Sequence, residues 1–255
     1  MPGLHPGTPG AFIGGRAAAL LPPVALLSRN RLLGALSPAD FALLQPYLTP
    51  VRFAPGQSIE PPDQPVEHCC FIECGVVSVV ARTIGGRRAE VALVGPEGMV
   101  SVCVIMGDDR TPHDTCVQIA GSGQRLPVER LRQAIAASPT LRRRLLQYAH
   151  SFLIQTTHTA LANGTARICE RVARSILMSQ DRMGDNELHL THEVLANALA
   201  VRRAGVTDAL HELEGLGLIR STRGQIIVLH RRGLIDFADG CYGAPEAEYE
   251  RLMAS

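Results

Sequence analysis

Residues 190–229, LTHEVLANALAVRRAGVTDALHELEGLGLIRSTRGQIIVL, carry more information than any other part of the chain. Thr191 can accept hydrogen bonds from exposed N–H groups, so it caps a short helix over His192–Leu199. Val194, Leu195 and Leu199 face inward on it. Ala200-Val201 forms a tight turn. A second helix is predicted from Arg202 to Glu214, burying Val206, Leu210 and Leu213 and exposing Arg202, Arg203, Thr207, Asp208 and His211. Gly215-Leu216-Gly217 stops it. Leu218–Ser221 and Ile226–Leu229 then form a hairpin around Thr222-Arg223-Gly224-Gln225. Two short helices, a tight turn and a hairpin tipped with Arg are the parts of a winged helix-turn-helix.

In that arrangement the second helix enters the major groove of double-stranded DNA with its N-terminal side chains facing base edges. Arg202 and Arg203 sit at that end, and Arg suits a bidentate bond to guanine. Arg220 and Arg223 on the wing suit phosphates. The competing reading is a sensor or adaptor module whose winged helix makes protein contacts, with its arginines merely solvated.

Upstream, Leu141, Leu145, Tyr148, Phe152, Gln155, Thr159 and Ala162 are spaced 4, 3, 4, 3, 4, 3. This is a heptad pattern, expected as a homodimer seam along a helix over 140–163. An ordinary amphipathic helix packed on its own domain gives the same pattern. At ~1.5 Å per residue the helix would be about 30 Å long, more than a small barrel covers, which favours the dimer. Asn163-Gly164 is expected to end it, with Thr165 capping a helix over Ala166–Arg182.

Residues 29–139 have a different texture. Ser37-Pro38-Ala39-Asp40 is a helix start. Short segments rich in Val, Ile, Thr and Cys then alternate with Gly/Pro turns, and Cys70–Ile72, Val76–Ala81, Ala89–Val94 and Cys116–Ile119 read as strands. The spacing suggests an all-β barrel or jelly roll. The fold class is therefore α+β: an N-terminal β-jelly-roll, a long dimerisation helix and a winged helix-turn-helix over 164–240. Residues 1–28 read as a Pro/Gly-rich tail and 241–255 as a C-terminal tail.

Composition narrows the function. The chain has 255 residues and a net charge of +1, so any surface for nucleic acid must be a local patch. Every one of the 25 basic residues is Arg, which removes Schiff-base and P-loop lysine chemistry. Trp is absent and aromatics are 4%, against single-strand binding by stacking. Seven cysteines, an odd number scattered through apolar runs, read as reduced thiols in the cytoplasm. No apolar run reaches the length of a membrane span. No catalytic motif is present, and neither a metal site nor a cofactor is expected.

From about Asn30 to Leu234 the chain resembles the CRP/FNR superfamily, the cyclic AMP receptor protein and its relatives. The likeness rests on Phe53–Gln57 leading to Phe71–Val77, on Gly95-Pro96-Glu97-Gly98, on Arg167–Leu177, and above all on Leu190–Ala196 through Glu212–Ile219. It implies a cyclic-nucleotide-binding-like domain, a homodimer, and double-stranded DNA and RNA polymerase as partners of a transcription regulator. The sequence also departs from the family. Where the resemblance implies a Gly-Glu pair for the ribose and an Arg for the phosphate, this chain has Ser101-Val102 and Asp114-Thr115, with Arg110 nearby. Positions implied for adenine contacts fall near Phe152 and Leu153. Cyclic AMP binding is therefore not expected. The family's base-reading Arg matches Arg203, but the Glu after it is Ala204 and the second Arg is Asp208, so a different operator is expected. Asp208 could accept from cytosine N4 or pair with a neighbouring Arg. The first 68 residues have no Cys, which removes an N-terminal iron–sulfur site, and His68, His113 and His158 read as ordinary histidines rather than haem ligands.

Overall fold

The N-terminal sheet is built on two long strands. In the computed structural model, which describes residues 28–254, β3 (His68–Arg82) pairs antiparallel with β5 (Asp114–Pro127). β1 (Thr49–Phe53) and β2 (Ser58–Glu60) pair with β5, and β4 (Arg88–Val94) pairs with β3. Sequence patterning splits β3 at Gly75, but the strand runs through it. The register with β5 shifts at Ile72/Cys74, Cys74/Val76 and Val76/Val77, and such shifts bend a strand. The bend needs glycine. Gly75 has φ 94°, and a Cβ on Gly121 would collide with the carbonyl oxygen of Cys74. The bent sheet encloses Phe53, Cys70, Ile72, Val77, Val94, Val100 and Val117.

Two short helices precede the sheet, α1 (Arg31–Gly34) and α2 (Pro38–Leu44), the latter capped by Ser37 as its sequence suggests. α3 (Val102–Ile105) and α4 (Val128–Ala137) follow strands of the sheet, and α5 (Pro139–Thr165) crosses it. Asp40 ties α2 to the start of α5, accepting hydrogen bonds from Ser138 and from Thr140 at 2.9 Å. α5 does not stop at Asn163-Gly164. It continues through Thr165, whose hydroxyl donates to the Leu161 carbonyl, and the cap of the next helix is Arg167.

The heptad positions of α5 require a correction. Leu141 and Leu145 are fully buried within the protomer, in one cluster with Phe71, Met99, Leu126 and Leu131. The Tyr148 hydroxyl donates to the Met99 carbonyl at 2.7 Å and accepts from Met99 N–H at 3.0 Å. Gln155 bonds both backbone groups of Leu93, Phe152 packs against the interior of the sheet, and buried Thr159 accepts from Arg174. Within the protomer this face packs against its own sheet. The physical reason is that a 3.5-residue period reports a buried stripe and says nothing about what buries it.

After α5 come α6 (Ile168–Met183), β6 (Glu187–Leu188), α7 (His192–Leu199), α8 (Arg203–Gly215), β7 (Ile219–Thr222), β8 (Gln225–Val228) and α9 (Arg231–Phe237). Their core is continuous with the sheet, because Val76, Leu93 and Ile119 join Val172, Ile176, Leu195, Leu210 and Ile226 in one cluster. Residues 241–254 are not the tail expected for 241–255. They contain α10 (Ala244–Met253), which packs along α5 and places Tyr249 and Met253 in the same cluster as Leu141 and Leu145. Tyr249 donates to the Glu97 carbonyl at 2.7 Å, and Arg31 pairs with Glu250 at 2.5 Å.

The seam between sheet and α6 is polar. Half-buried Glu90 accepts from Ser78 at 2.6 Å and from Gln118 at 3.0 Å. Burial pushes its carboxyl up to about 7, against the hydrogen bonds and the charges of Arg174 and Arg182. A carboxyl raised in the folded state favours folding when protonated. Stability therefore falls as pH climbs from the ordinary carboxylate value to about 7 and levels off above it. Glu90→Gln should remove this slope, so urea titrations of the two proteins should diverge from about pH 5 to about pH 8 and favour the variant at the upper end. Parallel curves would exclude Glu90 as the source.

A candidate nucleic-acid interface

Residues 190–229 supply α7, α8 and two strands of a three-stranded wing, ordered β6-β8-β7. Thr191 Oγ1 accepts from Val194 N–H at 3.1 Å and caps α7. Ala200 takes the left-handed conformation, with φ 54°, and makes the turn. Arg202 is the extended cap residue of α8, so the helix proper begins at Arg203, one residue later than its sequence suggests. Val206, Leu210 and Leu213 are fully buried, while Arg202, Arg203, Asp208 and His211 are exposed. Among the described residues Asp208 makes no ion pair, so no intrahelical Arg neutralises it. The exposed face thus carries two guanidiniums at the positive end of the helix dipole and carboxylates beyond them.

Thr207 is less free than the sequence implies. Its hydroxyl donates to the Arg203 carbonyl at 3.1 Å and lies 3.0 Å from His192 Nδ1. His192 Nε2 reaches Ser221 Oγ on the wing at 3.4 Å. Burial, helped by the Arg203 and His211 charges, lowers the His192 pKa and keeps the ring neutral. His192 therefore ties both helices to β7, a role that no local sequence pattern announces. Glu214 adds a second tie by accepting from Ser221 N–H at 2.9 Å. Arg220 is exposed on β7, and Arg223 is exposed at the hairpin tip, where Gly224 has φ 80°. All the predicted DNA-facing arginines lie on this one unit, grouped at the start of α8 and on the wing.

The geometry matches the comparison with known families. Residues 170–237 match the family model of the Crp-like helix-turn-helix domain. The fold is CRP/FNR-like. FixK2 from Bradyrhizobium japonicum is similar at 20% identity and TM-score 0.65, over 74% of this chain and 96% of that one. TTHA1359, a CRP/FNR-family transcriptional regulator from Thermus thermophilus, is similar at 24% identity and TM-score 0.60, over 76% of this chain and 100% of that one. No curated protein matches by sequence. At these identities the likeness shows the fold alone, with a Crp-like helix-turn-helix domain over residues 170–237.

Within the sheet, the residues that the sequence resemblance sets against ribose and phosphate are engaged with other residues of the chain. Ser101, left-handed at φ 72°, donates to the Glu60 carboxylate, and Thr115 donates to the other oxygen at 2.8 Å. Asp114 takes Arg82 and Arg88, and Arg110 pairs with Asp109 at the surface. Phe152 is half-buried and Leu153 is exposed. All seven cysteines are free thiols, and burial, with the Glu60 charge nearby, pushes Cys70 up to about 12. Among the described residues no helix is long and apolar enough to cross a membrane.

Proposed function

We propose that the chain is a homodimeric, sequence-specific DNA-binding transcription regulator of the cytoplasm. The observation that carries the reading is the start of α8: Arg202 and Arg203 stand exposed at the helix end beside an Arg-tipped wing, on a rigid unit whose other face is core. Arg203, the first helical residue, is assigned to base reading, and Arg202, Arg220 and Arg223 to phosphates. Thr191, Asp208 and His211 border the same surface, and Thr207 holds Arg203's backbone in place. RNA polymerase is the further partner this reading assigns, and the reading contains no catalytic step.

The dimer is reassigned to the other face of α5. Leu146, Leu153 and Leu161 are 43%, 58% and 59% exposed on one side of the helix, opposite the buried stripe. Their spacing of seven and eight residues suits a parallel contact with a second copy.

The test is binding to an operator selected from random duplex DNA. Arg203→Ala should lose discrimination at one base position per half-site, costing about 1–3 kcal/mol there. Arg223→Ala should weaken all sequences alike and lower the salt slope by about one unit for the phosphate it no longer neutralises. If neither Arg203→Ala nor Arg202→Ala alters base preference, the helix does not read the groove, and the protein-contact reading takes its place.

A further inference from the structure

β4 packs along α7, and a cavity of about 510 Å³ lies between the sheet and α7 with the turn that follows it. Gly86 and Arg88 wall it on one side, Ala200 and Val201 on the other. Ala200-Val201 is the turn that leads straight into Arg202 and Arg203. The loop between β3 and β4 therefore stands beside the end of α8 assigned to the groove, although it belongs to the N-terminal sheet.

That loop and its flanks read Arg82-Thr83-Ile84-Gly85-Gly86-Arg87-Arg88, and every one of these residues is exposed. Asp114 accepts from Arg82 and, at 3.1 Å, from Arg88. One carboxylate facing two guanidiniums leaves a positive charge over and holds both flanks of the loop in place. Arg87 adds another charge and, among the described residues, has no ion-pair partner. The loop itself is held in shape by its backbone, with Thr83 N–H donating to the Arg87 carbonyl at 2.9 Å and Arg87 N–H donating to Thr83 Oγ1 at 3.1 Å. Arg88, next to Arg87 in the chain, lines one side of the cavity, and the turn on its other side leads into Arg202 and Arg203. Like charges brought side by side on a surface repel, and a polyanion laid along them turns that repulsion into attraction.

We propose that the β3–β4 loop is a second DNA contact, with Arg87 and Arg88 holding backbone phosphate next to the half-site met by α8. The inference rests on the DNA-binding reading above. Phosphate contacts position a protein without reading sequence. The loop would therefore add affinity and orientation but no base preference. It would also make DNA binding sensitive to the placement of the sheet against α7, since one surface then spans both.

The experiment measures duplex binding by fluorescence anisotropy across a salt series, with the selected operator and with random-sequence duplex. The proteins are wild type, Arg87→Ala, Arg87→Glu and, as a loop control, Ile84→Ala. Arg87→Ala should lower the slope of log K against log salt by about one unit for each phosphate left unneutralised, equally on both duplexes. Arg87→Glu should weaken binding further, and Ile84→Ala should behave as wild type. An unchanged slope in Arg87→Ala, while Arg203→Ala still loses base preference, overturns this inference and leaves the DNA-binding reading standing. Tighter binding by Arg87→Ala also overturns it, showing that the loop obstructs DNA. A wild type without salt-dependent duplex binding overturns both.

Discussion

Arg182→Ala is expected to destabilise the protein by about 3–5 kcal/mol, because it leaves a poorly solvated carboxylate without its partner. The Arg182 side chain is 7% exposed and pairs with Glu97, itself 18% exposed, at 2.8 Å. The Nη2 that makes this pair also donates to the Leu93 carbonyl at 3.1 Å and Nη1 donates to the Met178 carbonyl at 2.8 Å, while the buried Nε has no hydrogen-bond partner among the described residues. The residue sits on α6 and its partners Glu97 and Leu93 lie on the sheet side, so one guanidinium fastens the DNA-binding unit to the N-terminal unit. Truncation removes the charge partner, two backbone bonds and the stem that packs against Gly95. Arg182→Met keeps most of the stem and separates packing from electrostatics. Urea unfolding followed by two probes, one in the sheet and one in the winged helix, measures the cost. The fastening also predicts that the two probes, coincident in wild type, separate in Arg182→Ala. A destabilisation below about 1 kcal/mol would place this pair with ordinary surface ion pairs.

The second large effect concerns the two faces of α5. Glutamate at Leu146 and Leu153 together should convert a dimer into a folded monomer, since both side chains are exposed in the protomer and their replacement disturbs no core. DNA affinity should then fall by about 10²–10⁴, because the second half-site is no longer tethered to the first. Leu145→Glu should behave differently. Leu145 has no exposed surface and lies in the cluster with Phe71 and Leu131, so a charge there should unfold the N-terminal unit instead of dissociating an intact one. Light scattering gives the mass, and circular dichroism gives the fold. A dimer that survives the Leu146/Leu153 double substitution would move the contact elsewhere.

The contrast between these faces shows where sequence patterning has reach. In residues 190–229, the positions of Thr191, Ala200, Leu210 and Gly224 each carry a local requirement, respectively a cap, a left-handed turn, a buried contact and a tight hairpin. Local requirements are written in neighbouring residues, so α7, α8 and the β7–β8 hairpin are legible to within a residue, whereas the third strand of the wing, β6, is not. The seven heptad positions of α5 are equally visible as a buried stripe. Their partner is not, because it arrives from far along the chain: Met99 meets Tyr148 across 49 residues and Leu93 meets Gln155 across 62. The same applies to α10. Its Pro245, Tyr249 and Leu252 are buried only because α5 and the sheet lie beside them, and its few apolar residues give no strong stripe in isolation.

Sequence alone therefore determined the winged helix-turn-helix, the β domain before it, the long helix between them and the choice of Arg202, Arg203, Arg220 and Arg223 as the outward charges. Each of these follows from periodicity, capping and turn chemistry within a few residues. Tertiary structure alone decided which side of α5 is free, that residues 244–253 return to the sheet, that His192 joins α8 to the wing, and that Arg182 and Glu97 fasten the two units together. These depend on pairs far apart in the chain, and such pairs are chosen by burial and charge neutralisation in the folded molecule.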